Sequence, residues 1–209
     1  MATAVELQGD IDRTDVPHIV RSSVQLGIVE CVFVVLMSFV SRYLGGLVET
    51  ILLALLLVVG LALVSGLPGI WTRARTIEGI AGAAGIGLGA AAAYLLVDVA
   101  LLQPLGIYTN RWRELGGGSN WWQHPVWWMV GTYLPWMGAW FLANQAANGE
   151  TPSIIKLMSA ALVFTVLAGA AAALIHFPGA AWSLPTFGIA FLVGIAAAVI
   201  FSGVGRRRA

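Results

Sequence analysis

Charge is what this chain has least of. Only 10% of its 209 residues are charged, where an ordinary soluble domain carries about 25%. A chain so poor in charge cannot cover itself in water. A net charge of +1 also excludes a polybasic nucleic-acid binder, because nothing in the sequence could neutralise a run of phosphates. Cysteine is nearly absent too. The single Cys31 lies inside an apolar run, so no disulfide framework and no CxxC metal or redox motif can form within the chain. The sequence has no Walker lysine motif, no GxSxG and no HExxH. Three histidines are too few for a multi-haem or di-iron membrane oxidase. The two halves of the chain share no convincing sequence match, although inverted three-helix repeats occur in some transporters.

Apolar residues fill the space these absences leave. They make up 59% of the chain, and the mean hydropathy is +0.86. A transmembrane helix needs ~20 apolar residues to cross ~30 Å of hydrocarbon. Six segments meet that length: 23–43, 47–67, 79–103, 125–146, 153–176 and 185–204. Inside lipid they must be helices, since an open strand leaves backbone groups unsatisfied. The expected fold class is therefore all-α, a polytopic bundle of six transmembrane helices. Residues 1–22 form a polar N-terminal segment, 23–204 the membrane domain with an aromatic outer loop at 104–124, and 205–209 a basic tail. The first apolar run is long enough to span and has no A-x-A-like exit, so it does not read as a cleavable signal. Prolines agree with the limits. Pro68 and Pro104 fall where helices stop, and Pro125, Pro152 and Pro185 fall where helices start.

Lysine and arginine set the expected orientation. With the N-terminus cytoplasmic, the inner side holds Arg13, Arg21, Arg73, Arg75, Lys156 and Arg206 to Arg208. The outer side holds Arg42, Arg111 and Arg113. The imbalance favours both ends on the cytoplasmic face of the cell (inner) membrane. The second segment is leucine-rich and reads as lipid-facing. The third is dense in glycine and alanine, with Gly85 and Gly89 at GxxxG spacing, which predicts a central helix. The fifth and sixth, also rich in small residues, are expected beside it.

The most unusual chemistry lies between Asn120 and Asn144, NWWQHPVWWMVGTYLPWMGAWFLAN, which holds six of the nine tryptophans. Trp121, Trp122, Trp127 and Trp128 suit an interfacial belt. Trp136 and Trp140 lie deeper. Met129, Tyr133, Trp136, Trp140 and Asn144 share one face at helical spacing. That stripe either packs in the core or contacts a partner helix or a flat cofactor such as a pigment, a quinone or a porphyrin. Trp112, in the outer loop with Arg111 and Arg113, belongs to an anchored loop or a docking surface. The run WWQHPVWW resembles the tryptophan-rich TspO family, whose members bind porphyrins and sterols. The likeness covers only those residues and stands against a count of six spans instead of that family's five. In outline alone, six short-looped spans are similar to the substrate-binding subunits of vitamin transporters.

Two acids fall within the spans. An intramembrane charge is costly and is a functional candidate by default. Glu30 reads as about two turns into the first span, either as a helix-gluing hydrogen-bonder or as a proton- or ion-coupling group. Asp98 lies near the outer end of the third. His124 and His176 share its expected level, and one carboxylate with two imidazoles makes a metal-ligand set, though no local spacing supports a metal. His124 could equally be an axial ligand to haem or chlorophyll.

Three functions compete on these grounds. The first is a non-catalytic subunit of a larger membrane complex, with lipid and other membrane subunits as partners and no nucleic acid. The second is a small-solute transporter or ligand-binding membrane subunit built on Glu30, Asp98 and the Trp136 stripe. The third, ranked last, is a metal-dependent membrane enzyme.

Overall fold

The computed structural model describes residues 12–108 and 123–204, excepting the side chains of 123–127. Among the described residues there are six long helices and no strand. They are α1 (Val16–Tyr43), α2 (Gly46–Trp71), α3 (Ile77–Val97), α4 (Gln123–Ala147), α5 (Ile154–Leu174) and α6 (Leu184–Gly203). A π-helical turn over Asp98–Leu102 continues α3. Five of the six are long and apolar enough to cross a membrane, α3 counted together with its π turn.

The helix ends follow from local chemistry. The Asp15 side chain caps α1 by accepting from His18 N, and Pro17 stands in the first turn, where a missing N–H costs nothing. The helix thus begins at Val16, within the segment read as a polar tail and well before the expected span start at residue 23. Thr76 and Ser153 cap α3 and α5 in the same way. Pro68 does not end α2. The helix runs on to Trp71, and Thr72 Oγ1 then donates to the Pro68 carbonyl at 2.9 Å.

Small residues decide which helices touch. A Cβ on Gly87 of α3 would fall 2.0 Å from the Gly131 carbonyl oxygen of α4. One on Gly138 of α4 would fall 1.8 Å from the Ser65 carbonyl oxygen of α2. Only glycine permits backbones to approach so closely, and lipid supplies no hydrophobic drive to hold them otherwise. Helices α3 and α4 therefore form the centre, with α1 packed on α3 and α2 on α4. The GxxxG pair is not the seam. Gly85 faces open space, and Gly89 meets Ser23 of α1.

Helices α5 and α6 pack on each other and reach the bundle mainly through α4, rather than lying beside α3 as their composition suggested. Gly194 brings them together, since a Cβ there would stand 2.7 Å from the Ala161 carbonyl oxygen. Leu134, Phe141, Leu157, Phe191 and Ile195 fill the space between α4, α5 and α6. Helix α2 is largely uncovered, with Leu47, Ile51, Leu55 and Val59 all exposed, as a helix solvated by hydrocarbon can be.

Candidate functional site

Glu30 lies at the midpoint of the 28 residues of α1, deeper than a start at residue 23 implied. One turn before it, Gly27 lets α1 touch α3, where an added Cβ would meet the Ala90 carbonyl oxygen at 2.9 Å. This contact turns Glu30 into the bundle, where it is 7% exposed. Glu30 also helps to line a crevice of about 220 Å³ between α1, α2, α3 and α4, walled by Phe33, Val34, Leu57, Gly60, Ala91 and Leu134 among others, whose exposed surface is almost wholly hydrocarbon. Every other wall residue is apolar or glycine. Among the described residues, Glu30 Oε2 has no hydrogen-bond partner. Leaving such a group unmade costs about 1–3 kcal/mol, more for a charged one. A chain retains it only if something offsets that cost.

Asp98 shows the opposite arrangement. It is 5% exposed at the start of the π turn. Gln103 Nε2 donates to one carboxylate oxygen at 2.7 Å, and the Tyr108 hydroxyl donates to the other. Burial pushes the Tyr108 phenol far above its usual value, which keeps its proton available for Asp98. That proton is committed, so Tyr94 must be the donor in the 3.0 Å contact between the two phenols. Ser38 Oγ donates to the Ile107 carbonyl, and Arg42 donates to the Gly106 carbonyl at 2.6 Å. The segment after α3 is thereby strapped to the end of α1.

The aromatic stripe divides. Tyr133 donates from its hydroxyl to the Leu192 carbonyl at 2.8 Å, and Asn144 Nδ2 donates to Ser202 Oγ at 2.9 Å, so both turn toward α6. Trp136 and Trp140 turn outward, 43% and 41% exposed, and stack with centroids 6.5 Å apart. They flank a groove that also takes in Arg75 and Thr76. Trp128 is exposed as well. Trp112, Trp121 and Trp122, with the side chains of Trp127 and His124, lie outside the described residues. His176 is exposed on a left-handed residue, φ 55°. Among the described residues no three His, Cys, Asp or Glu side chains group to hold a metal ion.

One polar feature carried no local signal. Asp12, from the segment read only as a polar tail, caps α3 from a distance. Its carboxylate accepts from Arg75 N at 2.9 Å, Thr76 N at 3.1 Å and Gly79 N at 2.9 Å. Arg13 N donates to the Thr72 carbonyl at 2.8 Å, and His18 Nε2 bonds the Trp71 carbonyl at 3.1 Å, which requires the proton on that nitrogen. The stretch from Asp12 to His18 is thus pinned over the α2–α3 turn.

Comparison with protein-family models, with curated proteins and with solved structures returns no match. The functional reading therefore stands on this geometry alone.

Proposed function

We propose that the chain is a six-span protein of the cell (inner) membrane, both termini cytoplasmic, that binds a small solute in the Glu30 crevice. It acts as a small-solute transporter or a ligand-binding membrane subunit. The observation that carries this reading is the unpartnered Glu30 oxygen beside an apolar crevice. The excess of lysine and arginine on one set of loops supports the orientation. Helix α4 has 25 residues, and at 1.5 Å each that is ~37 Å, enough for a sixth crossing. Ile28 and Val32 of α1, and Leu55 and Val59 of α2, are exposed on the helices that wall the crevice. A solute dissolved in the bilayer reaches such a site sideways, through hydrocarbon.

The test is to purify the protein in mild detergent, extract it, and identify co-purifying small molecules by mass spectrometry. Gly60→Val adds bulk where a Cβ would sit 3.4 Å from the Phe33 ring, so it narrows the crevice at tolerable contact distance. A molecule retained by the native protein and lost from Gly60→Val supports the reading. An identical extract from both argues against it.

A second reading has its own observation. Trp136 and Trp140 form an exposed stacked pair on α4, and aromatic pairs are favoured anchors at interfaces. On this reading the protein is a subunit of a larger membrane complex, and it co-purifies with other membrane proteins unless both tryptophans are replaced by alanine.

A further inference from the structure

We propose that the turn between α2 and α3, with the exposed face of α4 beside it, holds an anionic phospholipid, its phosphate on Arg73 and Arg75 and an acyl chain along Trp136 and Trp140. The site shares no residue with the walls of the Glu30 crevice and stands independently of it.

Helix α2 ends at Trp71 and α3 starts at Ile77, so Arg73 and Arg75 lie on a turn at the membrane surface. Two clefts flank this turn and share Arg75. One, of about 350 Å³, is lined by Ile70, Arg73, Arg75, Leu142 and Pro152 among others. The other, of about 300 Å³, is lined by Arg75, Ile80, Trp136, Trp140 and Ala143 among others. Unlike the Glu30 crevice, both offer polar as well as apolar surface, and among the described residues no acid lines either. Both arginines are exposed. Among the described residues no acid pairs with the Arg73 guanidinium. The acids nearby face other groups. The Asp12 carboxylate accepts from the amides of Arg75, Thr76 and Gly79, and Glu150 pairs with Lys156 at 2.7 Å. Glu78 is exposed and borders neither cleft. Arg13, whose amide donates to the Thr72 carbonyl, adds a third cation to the turn. A guanidinium offers donors only, in a fork that matches phosphate oxygens, and such charge-assisted bonds are the strong ones.

A free anion would need the arginines alone. The cleft along α4 is what selects a lipid. Ile80 and Ala83 of α3 pack with Ala139 and Ala143 of α4, so the cleft follows these two helices inward from the turn. Trp140 stands ~10 Å and Trp136 ~16 Å before the end of α4 at Ala147. That is the depth of acyl chains, below the level where interfacial tryptophans sit. The two exposed rings stack nearly parallel, 19° apart, and give a chain a flat apolar wall. Cations at the mouth and hydrocarbon beneath match a phospholipid from phosphate to tail. The headgroup must be net negative. A zwitterionic one brings its own cation toward the arginines, whereas basic residues at a membrane surface favour anionic lipid.

The experiment titrates the full chain in mild detergent with dioleoyl phosphatidylglycerol or dioleoyl phosphatidylcholine and counts bound lipid by native mass spectrometry. The two lipids share their chains and differ in headgroup charge. Inorganic phosphate, at matched ionic strength, is the competitor without chains. Phosphatidylglycerol is expected to bind at least about tenfold more tightly, and excess phosphate is expected not to displace it. Arg73→Gly combined with Arg75→Gln should remove the preference. Trp136→Ala combined with Trp140→Ala should weaken both lipids alike. Arg73 has φ 51°, a left-handed backbone that glycine adopts without strain, so its replacement keeps the turn. Arg75→Gln keeps the amide that bonds Asp12. Equal binding of the two lipids, or a preference that survives the arginine pair, overturns the proposal. Displacement by phosphate overturns it in favour of a plain anion site. Affinities untouched by the tryptophan pair overturn it as well, as does a membrane protein that co-purifies in place of the lipid and is lost with those tryptophans. Gly60→Val, in the crevice, should leave the preference unchanged, which separates failure here from failure of the crevice reading. Should the double arginine variant fail to fold, Arg73→Gly alone must still lower the preference.

Discussion

Asp98 and Glu30 are two buried carboxyl groups on helices that pack against each other, α3 and α1. Their exposures are nearly equal, 5% and 7%. Their surroundings are not. Asp98 receives a donor on each oxygen, from Gln103 and Tyr108, and Tyr108 is in turn held by Tyr94. Glu30 Oε2 receives none among the described residues. Burial alone therefore says little about what a carboxyl does. A carboxyl whose donors come from its own chain has its desolvation offset by the fold, and it acts as a clasp. One without them depends on a partner from elsewhere, and only that kind points to a ligand.

The largest effect is expected from breaking the clasp. Asp98→Ala strands the Gln103 amide and the Tyr108 hydroxyl in a buried space. It should destabilise the protein by about 2–3 kcal/mol in thermal unfolding in detergent, with Asp98→Asn recovering part of the loss. A loss no greater than that of Glu30→Ala would erase the contrast between the two sites. Next comes Asp12→Ala, which frees the amides of Arg75, Thr76 and Gly79 at the start of α3. It should cost about 1–2 kcal/mol, in the range of other helix caps. Hydrogen exchange should rise at those three amides and not at the crevice. Tyr108→Phe removes a single donor from Asp98 and leaves Gln103 in place, so about 1 kcal/mol is expected from the same unfolding measurement.

These residues also show how far the sequence could be read. The helices were legible because a membrane span is a statement about length and apolarity, and both are local. The early start of α1 was missed, because Arg13 and Arg21 make that turn look like tail when hydropathy is the guide, although the Asp15 cap and Pro17 mark it locally. The Asp98 clasp is semi-local, since its donors lie five and ten residues on. The Asp12 cap was not legible. Its partners are 63 to 67 residues away, and an acid in a polar segment carries no mark of where it will dock. The stripe from Met129 to Asn144 could be read as a face but not for what that face meets, which helical spacing does not give. Tyr133 and Asn144 found α6, while Trp136 and Trp140, one turn apart, found the outside. Glu30 could be singled out as a buried acid, but its lack of a partner could not be seen. That property belongs to the packing of α1 against α2, α3 and α4.

The smallest stability effect is the one that sharpens the comparison most. Glu30→Met replaces the carboxyl by an apolar group of similar length. If Glu30 were a clasp like Asp98, this change would strand its donors and cost a comparable amount. With no donor on Oε2, the change removes an unmet desolvation cost and adds apolar contact with the crevice wall. Replacing a buried charged group by a well-packed apolar one is often neutral or stabilising. The ligand-free Glu30→Met protein should therefore unfold at the native temperature or above it, within about 1 kcal/mol in free energy, while the small molecules that co-purify with the native protein are lost. Stability and binding would then move independently at this residue, which they cannot do at a group that serves the fold. A destabilisation close to that of Asp98→Ala would mean that Glu30 has a structural partner, and the two carboxyls would belong to one class.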